Sequence, residues 1–130
     1  MNRTASAVRP RPVSIEGAGV SLAGDLSLPS GTRGLVLFAH GSGSSRFSTR
    51  NRFVAEVLTE AGIGTLLFDL LTSSEEGDRE RVFDIPLLAG RLALATEWVA
   101  SGPGQKFNVP GDSSFEIRVR EAYHYICHFG

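Results

Sequence analysis

The residues with the most chemical content stand together: His40-Gly41-Ser42-Gly43-Ser44-Ser45, directly after the apolar run Leu35-Val36-Leu37-Phe38-Ala39. Small residues at the carboxyl end of a buried strand let backbone N–H groups point at a substrate oxygen, the geometry an oxyanion hole requires. Two other readings compete with it. A P-loop needs Gly-x4-Gly-Lys-Ser/Thr and a dinucleotide fingerprint needs Gly-x-Gly-x-x-Gly, and here Gly43 is followed by Ser44, Ser45 and Arg46, which fits neither. A turn that is only a turn is the remaining alternative, since Gly and Ser fill such positions for conformational reasons alone.

Other reactive side chains fall short of a constellation. No Gly-x-Ser-x-Gly elbow occurs in the sequence, and Cys127 lies between Ile126 and His128 with no glycine beside it. On a strand His124 and His128 share a face while Cys127 points to the other, so the three do not converge on one ion and no metal site is assigned. Cys127 then reads as a small core residue. Asp69 ends an apolar run, where functional groups of open sheets gather, and reads as a helix-capping or loop-fixing carboxylate. The charged run with Glu75, Glu76, Asp78, Arg79, Glu80 and Arg81 reads as a solvated surface, and Trp98 as packing. No catalytic residue is assigned and no cofactor is implied.

The elements that must position the loop follow from periodicity. Val13 and Ile15, then Val20, Leu22, Leu26 and Leu28, alternate around Gly17, Gly19 and Gly24 and predict a β-hairpin. Leu35–Ala39 and Thr65–Phe68 predict strands buried on both faces. Between them Phe53, Val54, Val57, Leu58 and Ala61 recur at helical spacing, with Ser48 or Thr49 as N-cap and Gly62 as the stop, so strand, helix and strand form a parallel βαβ unit. Asp84 caps a second helix with Pro86 in its first turn, along which Ile85, Leu88, Leu92, Thr96 and Val99 share a face. After Gly102-Pro103-Gly104 the style changes. Phe107–Val109, Phe115–Val119 and Tyr123–Phe129 predict three short antiparallel strands, expected to pair along the edge next to the Leu66 strand or to stay exposed and give a homodimer.

Composition narrows the function classes. Thirteen basic and fourteen acidic side chains in 130 residues leave a net charge of −1, which disfavours an electrostatic nucleic-acid binder and a polybasic membrane-surface protein. No apolar stretch is long enough to span a bilayer. Residues 1–12 carry Arg3, Arg9 and Arg11 without the apolar core of a secretory signal and read as a disordered tail on a cytoplasmic protein, an address that suits a single reduced thiol.

Specific sequence then adds to pattern. Gly34-Leu-Val-Leu-Phe-Ala-His-Gly-Ser-Gly-Ser-Ser-Arg46, Asn51-Arg-Phe-Val-Ala55, Leu66-Leu-Phe-Asp-Leu-Leu-Thr72 and Phe83-Asp-Ile-Pro-Leu-Leu88 resemble the N-terminal half of the dienelactone hydrolase branch of the α/β-hydrolase family. The likeness spans about Val13 to Ser101. It implies a partial α/β-hydrolase sheet with flanking helices over residues 13–104 and hydrolysis of a small-molecule carboxylic ester or lactone. By the same resemblance Gly41, Ser42 and Gly43 supply oxyanion-hole amides and His40 shapes their turn. The family's nucleophile elbow is expected after the Leu88–Val99 helix, where this chain has Gly102-Pro103-Gly104-Gln105, so an incomplete, truncated hydrolase is expected. Residues 105–130, with Lys106-Phe-Asn-Val-Pro-Gly-Asp112 and Tyr125-Ile-Cys-His-Phe129, resemble the C-terminal strands of the cupin-like pyrimidine/purine nucleoside phosphorylase family, although that family usually shows His where Asp112 stands. The expectation is an α/β fold carrying a short antiparallel β tail, with phosphorolysis and a non-catalytic interaction module as the alternative functions.

Overall fold

The computed structural model describes residues 8–32, 34–40 and 45–100, together with the backbone of Glu116 and Ile117. Arg11–Gly17 (β1) and Val20–Ser27 (β2) form the expected antiparallel hairpin, in which Gly17 pairs with Val20. Ala18 and Gly19 close it with φ of 50° and 76°. Positive φ at both central residues gives a turn whose twist matches that of the flanking strands. Arg11 and Pro12, assigned to the tail by sequence, instead pair with Leu26 and Asp25. The lack of an N–H on Pro12 is tolerated because β1 is an edge strand.

Gly34–Phe38 (β3), Thr49–Glu60 (α1) and Gly64–Phe68 (β4) form the parallel unit read from the sequence. Two short helices, Ser73–Glu76 (α2) and Arg79–Val82 (α3), then lead into Ile85–Ala100 (α4). With Glu116–Ile117 (β5), the sheet order is β1-β2-β4-β3-β5. It is a mixed sheet, because β2 pairs antiparallel with β4 from Gly24↔Phe68 to Ser27↔Thr65. The tail cannot lie beside the Leu66 strand as expected, since β2 and β3 already take both hydrogen-bonding edges of β4. Glu116 and Ile117 pair instead, in parallel, with Gly34 and Leu35 on the far side of β3. Phe115 of the same expected strand, and the other expected tail strands with Phe107, Ile126 and Cys127, lie outside the described residues.

Each face of the sheet has its own core. On one, Ile15, Leu22, Leu26, Leu35, Leu37, Leu66 and Phe68 pack against Leu92, Ala95, Trp98 and Val99 of α4. On the other, Phe38 and Leu67 meet Ala55, with Val36, Val54 and Leu58 around them under α1. The alternation Leu66, Leu67, Phe68 sends consecutive side chains to opposite faces, which is why all three positions are apolar.

Capping and burial refine the helices. In α1 the Ser48 hydroxyl accepts the Asn51 N–H, and Gly62 follows the helix with φ of 89° while the Ile63 N–H bonds the Leu58 carbonyl at 2.9 Å. Glycine at that position avoids the left-handed penalty of any other residue. The apolar stripe expected on α1 is rotated. Asn51 and Ala55 are buried, whereas Phe53 and Val57 are 65% and 49% exposed. In α4 the Asp84 carboxylate accepts the Leu87 N–H at 3.1 Å, as the cap expected there should. Its inward face is Arg91, Leu92, Ala95, Trp98 and Val99, while Ile85 is 68% exposed. Gly90 is exposed inside α4 with open space where a Cβ would sit. Gly90→Ala should therefore stabilise the chain by up to about 1 kcal/mol, read as a higher urea midpoint with an unchanged m-value.

Candidate functional site

Ligands of open α/β sheets bind where neighbouring parallel strands send their following helices to opposite faces, because the diverging loops leave a crevice at the carboxyl ends. Strand β3 leads to α1 on one face and β4 leads through α2 and α3 to α4 on the other. The crevice therefore opens beyond the carboxyl ends of β3 and β4, between His40 and residues 69–74.

Gly41, Ser42 and Gly43 lie outside the described residues, but both ends of their loop are placed. At the entry, His40 is buried and its Nε2 accepts the Leu70 N–H at 3.0 Å. A backbone N–H can only donate, so Nε2 carries a lone pair and the ring proton belongs to Nδ1. At the exit, the Arg46 N–H donates to Asp69 Oδ1 at 2.8 Å and the Arg46 guanidinium donates to Oδ2. The same guanidinium faces Asp25 of β2, 3.4 Å from Nε, and stacks 4.1 Å above the Phe47 ring. Two consecutive residues at the end of β4 thus hold both ends of the loop. Asp69 does the loop fixing read for it from sequence.

Behind Leu70 lies a buried ion pair that the sequence concealed. Glu75 belongs to a run read as solvated surface, yet it is buried beneath α4, where Arg91 meets it in a bidentate fork with both hydrogen bonds at 2.7 Å. Arg81 adds a third contact at 3.1 Å. The hydrogen bonds from Arg91, opposed by desolvation and helped by the Thr72 N–H, hold the Glu75 carboxyl well below the usual range, at about 2, and Arg91 is held more firmly protonated. Two sequence signals could have found the pair. Thr72-Ser73-Ser74-Glu75 is a capping box, present in the structure with both reciprocal bonds. Arg91 also stands on the inward face of an apolar helix, where an arginine needs a buried acceptor. Asp78 and Arg81 pair at 3.4 Å and are half-exposed, as expected of that run.

A cavity of about 410 Å³ adjoins the crevice, lined by Ser21 and Ala23 of β2, Asp69 and the turn Leu71–Ser74. Its wall mixes the hydroxyls of Ser21, Thr72, Ser73 and Ser74 and one carboxylate paired with Arg46 with the apolar Ala23 and Leu71. Such a surface offers hydrogen bonds rather than a proton-transfer dyad. His124, Cys127 and His128 lie outside the described residues. No helix among the described residues is long and apolar enough to cross a membrane.

A mixed sheet with helices on both faces defines an α/β fold, and comparison with known proteins makes the likeness specific. The chain is 52% identical to the dienelactone hydrolase of Anabaena variabilis with a TM-score of 0.71, over 76% of this chain and 48% of that one. It is also 57% identical over 96 residues to a putative phosphoribosyl transferase of Mycobacterium tuberculosis, 74% of this chain and 22% of that protein. Residues 87–129 match the pyrimidine/purine nucleoside phosphorylase family, and a member from Paracidovorax citrulli is 79% identical over 33 residues, 25% of this chain and 31% of that protein. Both resemblances read from sequence hold, one to a dienelactone hydrolase and one to the nucleoside phosphorylases, in the same chain. The second begins at Leu87, inside α4, well before the boundary drawn at residue 105. The chain spans less than half the length of each of these three proteins.

Proposed function

We propose that the body of this chain serves hydrolysis of a carboxylic ester or lactone, of the dienelactone hydrolase type, and that Gly41, Ser42 and Gly43 donate backbone N–H groups to the substrate carbonyl oxygen. When a nucleophile adds to that carbonyl, its π electrons move onto oxygen. Donors already fixed in place stabilise the new charge without reorganising at that moment. The observation that carries this reading is the two-point tether of the loop, His40 on Leu70 and Arg46 on Asp69, in a body 52% identical to a dienelactone hydrolase. His40 shapes the loop entry in this reading. The nucleophile and its proton acceptor are assigned to no residue of the chain.

Titrating the purified chain with phenylacetate, a carboxylate like the product of ester cleavage, tests this by amide NMR. The Gly41, Ser42 and Gly43 signals should shift together and saturably, and p-nitrophenyl ester turnover should show no dependence on any single Ser or Cys. Signals that respond only to inorganic phosphate or a nucleoside would overturn the reading.

A second reading, nucleoside phosphorolysis, is favoured by the family match over residues 87–129. It requires free base and a pentose 1-phosphate to form from nucleoside and phosphate. The name of the mycobacterial relative adds no third reading, because the matched part is 22% of that protein.

A further inference from the structure

We infer that Arg91, in the middle of α4, is a positioning residue for the His40 ring, where the Gly/Ser loop begins, and acts through the backbone of Leu70. The Leu70 carbonyl accepts from Arg91 Nη1 at 3.1 Å, and the Leu70 N–H donates to His40 Nε2 at 3.0 Å. One residue is therefore clamped on both sides, which fixes its φ and ψ and aims its N–H at the imidazole that starts the loop. Arg91 is able to do this because Glu75 takes the other edge of the guanidinium, with Nη1 shared between Glu75 Oε1 and the Leu70 carbonyl. Glu75 is itself fixed by the Thr72 N–H at 2.9 Å, so the turn that follows β4 is tied at Leu70, Thr72 and Glu75 to a single guanidinium. Arginine is required by geometry, since a lysine ammonium cannot present a planar fork to a carboxylate while reaching a carbonyl beside it.

The relay runs from α4 to the end of β3: Arg91, Leu70, His40. Helix α4 packs on the opposite face of the sheet from α1, so the relay passes around the carboxyl end of β4. The inference rests on the proposed role of the loop only for its catalytic meaning. The mechanical link stands on the hydrogen bonds alone.

The test uses the full chain and the paired variant Glu75→Leu/Arg91→Met, which removes both charges together and spares the fold an unpaired ion. Hydrogen exchange at the Leu70 amide should quicken at least about tenfold while Leu66, Leu67 and Phe68 in β4 keep their protection. The His40 ring nitrogens should change from one tautomer, with Nε2 unprotonated, to a mixture. Unchanged Leu70 exchange and an unchanged His40 tautomer in a folded variant would overturn the inference and leave Arg91 as a core staple. If the paired variant does not fold, Arg91→Lys carries the same two readouts, because it keeps a cation for Glu75 and loses the fork. A Leu70 amide that depends on Arg91, together with loop signals indifferent to phenylacetate, would sustain the relay and refute the oxyanion reading. Loop signals that respond to phenylacetate equally in parent and variant, with Leu70 exchange unchanged, would do the reverse.

Discussion

Arg91→Met alone should destabilise the chain by about 3–5 kcal/mol, because it strands the Glu75 carboxylate in a buried site. Both guanidinium bonds to Glu75 and the bond to the Leu70 carbonyl are lost at once, and Arg81, half-exposed, replaces only part of the pairing. In a domain of this size that is a fall in melting temperature of more than about 10 °C. The paired variant Glu75→Leu/Arg91→Met should recover to within about 1–3 kcal/mol of the parent, the remainder being the unsatisfied Leu70 carbonyl. Thermal unfolding of the two variants side by side checks this. Equal destabilisation by the single and paired changes would show that the packing around α4 matters and the ion pair does not.

Acid should remove the same stabilisation. The carboxyl of Glu75 is held at about 2 in the folded state, below its ordinary value of 4.5, so the folded state holds fewer protons than the unfolded state through that interval. The contribution is complete above about pH 5 and declines as pH falls through 4.5 towards 2, by about 3 kcal/mol in total. Urea midpoints measured between pH 6 and pH 2.5 should fall steeply for the parent and more gently for the paired variant, which has no Glu75 to protonate. Parallel curves for the two proteins would contradict this assignment.

Much of the frame could be read from local pattern, because hairpin, strands and helices each announce themselves in a few residues. Gly19 in the turn, the apolar runs around Leu37 and Leu66, Ser48 and Asp84 as caps and Gly62 as a stop all stand where the sequence put them. What periodicity missed was set by tertiary neighbours. Phe53 and Val57 have helical spacing but face outward, since Asn51 and Ala55 take the side against β4 and β3. The antiparallel β2–β4 pairing joins segments far apart in sequence, and no local signal encodes it. The loop stands out by its composition, but its anchors do not: Leu70 and Asp69 reach His40 and Arg46 only once β3 and β4 lie side by side. Glu75 was concealed by its neighbours, as one inward carboxylate among five outward charges looks like the rest of the run.

The proposed role of the loop is tested most directly by grafting residues 13–100 of this chain in place of the matching segment of the Anabaena variabilis dienelactone hydrolase and measuring hydrolysis of that enzyme's lactone. The chimera should keep activity within about tenfold of the parent enzyme, and Ser42→Pro, which deletes one loop N–H, should lower kcat by about 10²–10³-fold. A folded chimera with no hydrolysis, or one indifferent to Ser42→Pro, would contradict the assignment of these amides to the oxyanion.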